Sequence, residues 1–313
     1  MAAEIVEALS SCIRTIDCKQ GAVRAVRFNA DGSYCLTCGS DRKIKLWNPN
    51  KNLLLKTYPG HGKEAMDVAG SCDSAKLVSC GADKMVIIWD VATGQSLRRY
   101  RGHATVVSCV RFNEDSSVVI SGSHDNSVRI WDTRSNIYDP IQILNDAKDS
   151  ITSIQVTENK ILTGSVDGKI REYDLRAGQL TTDTLGEATT SVTYTRDGQC
   201  VLASCADASV RLIDTTAGEL LNEFRGHTTK DYCVETATGP GDSTILCGSS
   251  DGCVWIWELV TGNVLGKLTH SSLPTVVPSL SINPSANQVL TASEGCIKLW
   301  GEMSPEDILI CDD

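Results

Sequence analysis

The sequence predicts an all-β chain folded as a single seven-bladed β-propeller. Three observations predict it: an internal repeat of 40 to 44 residues, strand-period alternation inside each repeat, and a turn Asp that keeps the same phase. Trp47, Trp89 and Trp131 are spaced by 42 residues. Tyr173, Ile213, Trp257 and Trp300 continue the series. Six residues before the first six anchors stand Asp41, Asp83, Asp125, Asp167, Asp207 and Asp251, and the seventh unit offers Glu294. Gly-His precedes three anchors, as Gly60-His61, Gly102-His103 and Gly226-His227.

Each unit divides into four short strands. In the third, 105–112, 117–123 and 127–132 alternate apolar with polar residues, and 95–100 is the fourth strand of the unit before. Asp31-Gly32, Thr93-Gly94, Asp167-Gly168, Asp197-Gly198 and Thr261-Gly262 mark the turns between strands. Four antiparallel strands per unit make a propeller blade. The ring is expected over 11–301, with a flexible N-terminus at 1–10 and an acidic tail at 302–313. Residues 13–16 repeat the pattern of 97–100. They are expected to complete the last blade beside the Trp300 strand and to close the ring, which removes open sheet edges.

Composition narrows the function. The chain has 313 residues, 29 Lys plus Arg against 39 Asp plus Glu, and a net charge of −10. A surface built to neutralise phosphates would be basic, so direct nucleic-acid binding is not expected, nor is attraction to anionic membranes. No apolar run approaches the ~18 residues of a membrane-spanning helix, and the first ten residues lack the basic start of a secretory signal. The 14 Cys therefore read as reduced thiols. Cys35 and Cys38 form a C-x-x-C with no second pair or nearby His, and read as two strand residues. Ser123-His124-Asp125 spells a catalytic triad by letters, but contiguous residues cannot converge as one. No small-molecule substrate, cofactor, metal or enzymatic activity is expected.

The Gly-His…Trp-Asp units resemble the WD40-repeat family, across nearly the whole chain. The resemblance implies a buried network in each blade. Its members would be His61, Ser79, Asp83 and Trp89 in unit two, and His103, Ser121, Asp125 and Trp131 in unit three. Unit six would use His227, Asp251 and Trp257, with Cys247 in the hydroxyl slot. Unit one has Lys19 near the His slot, and unit seven would use His270. Units four and five lack the His, which makes them the expected less rigid arc. The resemblance also implies a protein-binding face around the channel. Its positions map onto Arg24, Glu64, Met66, Ser108, His124, Lys230 and Tyr232. Residues 119–134 (ValIleSerGlySerHisAspAsnSerValArgIleTrpAspThrArg) resemble the WD-x-Arg box of cullin-RING ubiquitin-ligase substrate receptors, with Arg134 as the contact to the ligase adaptor.

Closer motifs narrow the family. GlyAlaValArgAlaValArgPheAsn at 21–29, TyrCysLeuThrCysGlySerAsp at 34–41 and the run 162–180 around Tyr173 resemble the mitogen-activated protein kinase organizer family. That resemblance implies a scaffold, monomeric within its complexes, for the extracellular-signal-regulated kinase cascade. It also implies association with the spliceosome in pre-mRNA splicing, and hence cytoplasm and nucleus. The alternative is the ligase substrate receptor.

Overall fold

The computed structural model describes residues 7–230 and 232–302. The first six residues and, of the expected tail at 302–313, all but residue 302 lie outside that range. Period-2 alternation becomes a radial gradient of burial. Middle strands such as Cys35–Gly39 are buried at every position, because a neighbouring sheet covers each face. The outer strand Ser96–Arg101 alternates, with Tyr100 inside and Arg101 out.

The strands form an all-β propeller, but the expected count of seven blades is corrected. They assemble into six hydrogen-bonded sheets, so the ring has six blades rather than seven, five of four strands and one of six. The cause is the continuity of two long strands, Cys12–Phe28 and Gln288–Gly301. The first half of Cys12–Phe28 pairs antiparallel with Gln288–Gly301, Ile16 opposite Ile297. Its second half pairs with Cys35–Gly39, Arg27 opposite Leu36. One strand thus joins the first and seventh repeat units into a single sheet.

Apolar clusters wedge neighbouring units together. Tyr58 meets Trp89 edge-on at 6.1 Å, Tyr100 stacks on Trp131 at 5.0 Å, and Phe224 lies 6.2 Å from Trp257. The equivalent position before Trp300 is the smaller Leu268, paired with Val254 as Phe224 is with Val210. Leu9, fully buried, packs into that same cluster with Leu268 and Trp300. Among the described residues, no helix is long and apolar enough to cross a membrane.

Candidate protein-docking face

The turns that frame the channel are fixed by hydrogen bonds to the turn Asp. In unit two, the Trp89 indole N–H donates to Ser79 Oγ at 2.8 Å, and Ser79 Oγ lies 2.7 Å from His61 Nε2. His61 Nδ1 reaches Asp83 Oδ2 at 3.0 Å, and the Gly62 N–H donates to the same oxygen at 2.8 Å. Gly60 has φ +155°, and a Cβ there would lie 2.8 Å from the Trp89 ring, so the Gly of Gly-His is required by contact.

Unit three repeats the set. Trp131, Ser121, His103 and Asp125 are joined by contacts of 2.8, 2.8 and 3.0 Å. Burial works against the Asp125 carboxylate, but the Ser127 hydroxyl, the Ala104 N–H and His103 outweigh it and hold its pKa at about 2.

The other units hold their turns differently. In unit one the residue in the His slot is Gln20, not Lys19. Its amide N–H donates to Asp41 at 3.1 Å, and its amide oxygen accepts from Thr37 Oγ1 at 2.5 Å. Trp47 then donates to Thr37 at 2.9 Å. In units four and five an arginine four residues beyond the Asp takes over. Arg171 grips Asp167 with contacts of 2.6 and 3.2 Å, and Arg211 reaches Asp207 at 3.0 Å. The missing histidines therefore leave neither carboxylate unpaired.

Unit six is not closed in this way. With Cys247 in the hydroxyl slot, both ring nitrogens of buried His227 lack a hydrogen-bond partner, and Asp251 accepts instead from the Trp255 indole at 3.0 Å. Trp257 donates to the Arg225 carbonyl at 3.3 Å. Burial, against the pull of Asp251, brings the His227 pKa down to about 4. His270 does serve unit seven, with Thr291 Oγ1 at 2.7 Å and Cys296 Sγ at 3.4 Å.

Five of the residues expected on the binding face converge. Arg24, Met66, Ser108, His124 and Tyr232 line one cavity of about 270 Å³ at the mouth of the channel. The Asp125 carboxylate turns to His103, so its neighbour His124 is left at the mouth. Tyr232 is half exposed. Ser108 is taken up in the wall, its Oγ 2.6 Å from the Ile151 carbonyl. Glu64 stands beside the mouth and pairs with Arg24 at 3.0 Å. Lys230 is exposed in the loop before Tyr232 but does not line the cavity.

The floor of the cavity was not foreseen. Arg27 bonds Asp67 at 2.9 Å and Glu235 at 2.8 Å, and Arg111 pairs with the other oxygen of Asp67. Ser279 donates to Glu235 at 2.7 Å. Burial works against the Asp67 carboxylate, but Arg111, Arg27 and the Val110 and Val68 N–H groups together outweigh it and lower its pKa, so the carboxylate stays ionised. Two cations and two anions cancel. They form a neutral plug between this mouth and a second cavity of about 510 Å³ that also borders Arg27, Arg111 and Glu235. The doubled ValArgPheAsn at 26–29 and 110–113 is the sequence signal that could have found it.

Arg134 sits away from the mouth. Its guanidinium is 70% exposed and lies 3.1 Å from Asp115. The C-x-x-C cysteines are both buried, and burial pushes both thiols up. Among the described residues, no group of three or more His, Cys, Asp or Glu could hold a metal ion.

Residues 10–48, 52–90, 94–132, 218–258 and 262–301 match the family model described as WD domain, G-beta repeat. The matched stretches leave out 133–217, which contains the two units held by arginine. WD repeat domain-containing protein 83 of Rattus norvegicus is 56% identical over 294 residues, which cover 94% of this chain and 93% of that protein. The Homo sapiens protein of that name is 53% identical over the same shares. The WD repeat domain-containing protein 83 homolog of Dictyostelium discoideum is 38% identical, covering 93% of this chain and 98% of its own length.

Proposed function

The chain belongs to the WD domain, G-beta repeat family, and on that premise we propose that it is a non-catalytic scaffold that docks protein partners at the channel mouth. The convergence of Arg24, Met66, His124 and Tyr232, from four different repeat units, on one cavity carries this reading. Arg, Tyr and Met are enriched in protein interfaces, and Tyr and Arg dominate their hot spots. The ion-paired floor supports binding over chemistry, because acid/base catalysis needs a group free to exchange a proton with substrate.

The resemblance to the mitogen-activated protein kinase organizer family supports kinase-cascade and spliceosome components as the partners, and cytoplasm and nucleus as their meeting places. Such a scaffold, residues 11–301, acts through effective concentration. It converts a bimolecular encounter into a nearly intramolecular one. Signalling output should therefore rise and then fall as scaffold is added.

A second reading, as substrate receptor of a cullin-RING ubiquitin ligase, is supported by the outward guanidinium of Arg134 in the 119–134 box. One experiment separates the two. Affinity capture with mass spectrometry from native cells would compare wild type, Arg134→Ala, and the double variant His124→Ala/Tyr232→Ala. The scaffold reading expects kinase-cascade or spliceosome proteins to be lost in the double variant alone. Loss of a ligase adaptor in Arg134→Ala alone supports the receptor instead, and capture indifferent to His124 and Tyr232 contradicts the mouth as the docking site.

A further inference from the structure

We propose that the rim of this face over units one and two binds an acidic segment of a partner protein; the inference rests on the docking reading above and names the chemistry of what docks. Lys19, Arg42, Lys43, Lys63 and Lys84 are all exposed there. Among the described residues none of the five forms an ion pair, in a chain whose net charge is −10. The acids between them are spent internally. Asp41 is held by Gln20 and by Lys45, Glu64 by Arg24, and Asp83 by His61 and the Gly62 N–H. Asp17 accepts the N–H of Lys19.

The turns carrying these bases are one continuous surface. Arg42 Nη1 lies 3.4 Å from the Gly62 carbonyl, next to Lys63, and the Lys84 turn is tied to the same loop through Asp83. The Lys19 turn bonds the Asp41 turn through Gln20, and the Arg24–Glu64 pair carries the surface to the cavity mouth. A segment that leaves the mouth over units one and two crosses unpaired positive charge. Such charge steers association and sets specificity for the opposite sign.

The Arg24–Glu64 pair fits the same picture. Both side chains are about 40% exposed, and an acidic segment can compete with Glu64 for the guanidinium. A carboxylate-rich peptide suits the site better than a nucleic acid. The described rim offers cations, the half-buried Met66 and the single exposed mouth aromatic Tyr232, but no row of exposed aromatics on which successive bases could stack.

The test uses the purified full chain and a fluorescein-labelled Glu/Asp-rich peptide, read by anisotropy at low and at physiological salt. Lys43→Glu/Lys63→Glu should weaken binding roughly tenfold, and Lys43→Gln/Lys63→Gln by an intermediate factor, with unchanged melting temperatures. Lys148→Glu/Lys169→Glu, on unit four of the same face, should stay within about twofold of wild type. Equal weakening by both reversals would overturn the proposal, as would displacement of the peptide by an equally charged single-stranded RNA at the same concentration as unlabelled peptide. Failure here, with partner capture still dependent on His124 and Tyr232, leaves the docking reading intact. Peptide binding that depends on Lys43 and Lys63 beside capture indifferent to His124 and Tyr232 points to failure of the docking reading instead.

Discussion

In units two and three the turn carboxylate is held by a histidine that arrives from 22 residues earlier. In units four and five it is held by an arginine only four residues along the same chain. The first solution spans separate strands and recruits the Trp and Ser as well. The second is local and needs neither; Tyr173 and Ile213 stand in the Trp positions. A buried carboxylate must be matched by donors, but the donor need not be the one the repeat usually supplies. Sequence patterns score the donor, whereas the fold needs only the pairing. The family-model match leaves out the arginine-held units, while their strands pair as fully as the others.

This comparison can be broken most forcefully at its largest side chain. Trp131→Ala removes a fully buried indole and its bond to Ser121, and should cost about 3–5 kcal/mol in equilibrium unfolding. A loss below ~1 kcal/mol would show that the histidine units do not depend on their network.

Arg171→Ala is the matching test in the other region. The Arg171 and Asp167 side chains are 3% and 8% exposed, so the variant strands a buried anion and should cost about 3 kcal/mol. The more exposed Arg211–Asp207 pair should cost less on Arg211→Ala.

Acid separates the regions further. Burial sets the pKa of both His227 and His270 at about 4, below the ordinary 6.5. Below pH 6.5 the unfolded chain takes up these protons and the folded one does not. The stability is thus complete above pH 6.5 and is lost as pH falls from 6.5 toward 4. At pH 5 the loss should be on the order of 2 kcal/mol per imidazole. Asp125 contributes in the same direction lower down, between its ordinary 3.8 and about 2. Units four and five contain no histidine, so amide protection there, relative to the intrinsic exchange rate at each pH, should stay flat between pH 7 and pH 5 while units six and seven lose protection.

The smallest effect is the most specific. Gln20 already does the work of the histidine in unit one, so His103→Gln should cost under ~1 kcal/mol, whereas His103→Ala should cost about 2. Equal losses would mean that ring packing on Trp131, at 6.1 Å, matters more than the hydrogen bonds.

The phase of the repeat, both complete networks and most of the cavity mouth were legible because they rest on local spacing. Trp89, Asp83 and His61 keep one register, and the positions that line the mouth follow from it. What could not be read depends on contacts between distant parts of the chain. Arg27 and Glu235 are 208 residues apart, and their pairing follows from the closure of the ring. The fusion of the first and seventh units into one sheet depends on a strand that runs on through 17–22, where its pairing with Gln288–Gly301 shifts register between Asp17 and Ala22, past Lys19 and its φ of +48°. Gln20 was missed by one position, because the expected residue type was a base or a ring and an amide supplies the same donor and acceptor. Arg171 and Arg211 look like ordinary outward residues of alternating strands until the Asp four positions earlier is seen to bend back to them.

The central claim is that each of the six turns that carry an Asp on the docking face is held by an internal partner of that Asp, whichever residue supplies it. Hydrogen exchange read by mass spectrometry, on wild type and on Arg171→Ala/Arg211→Ala, tests this most directly. The account predicts that the turns at 166–171 and 206–211 are as well protected in wild type as those at 82–87 and 124–129. It further predicts that the double variant loses protection at the first pair of turns alone. Weak protection of 166–171 and 206–211 in the wild type, unchanged by the double variant, would contradict it.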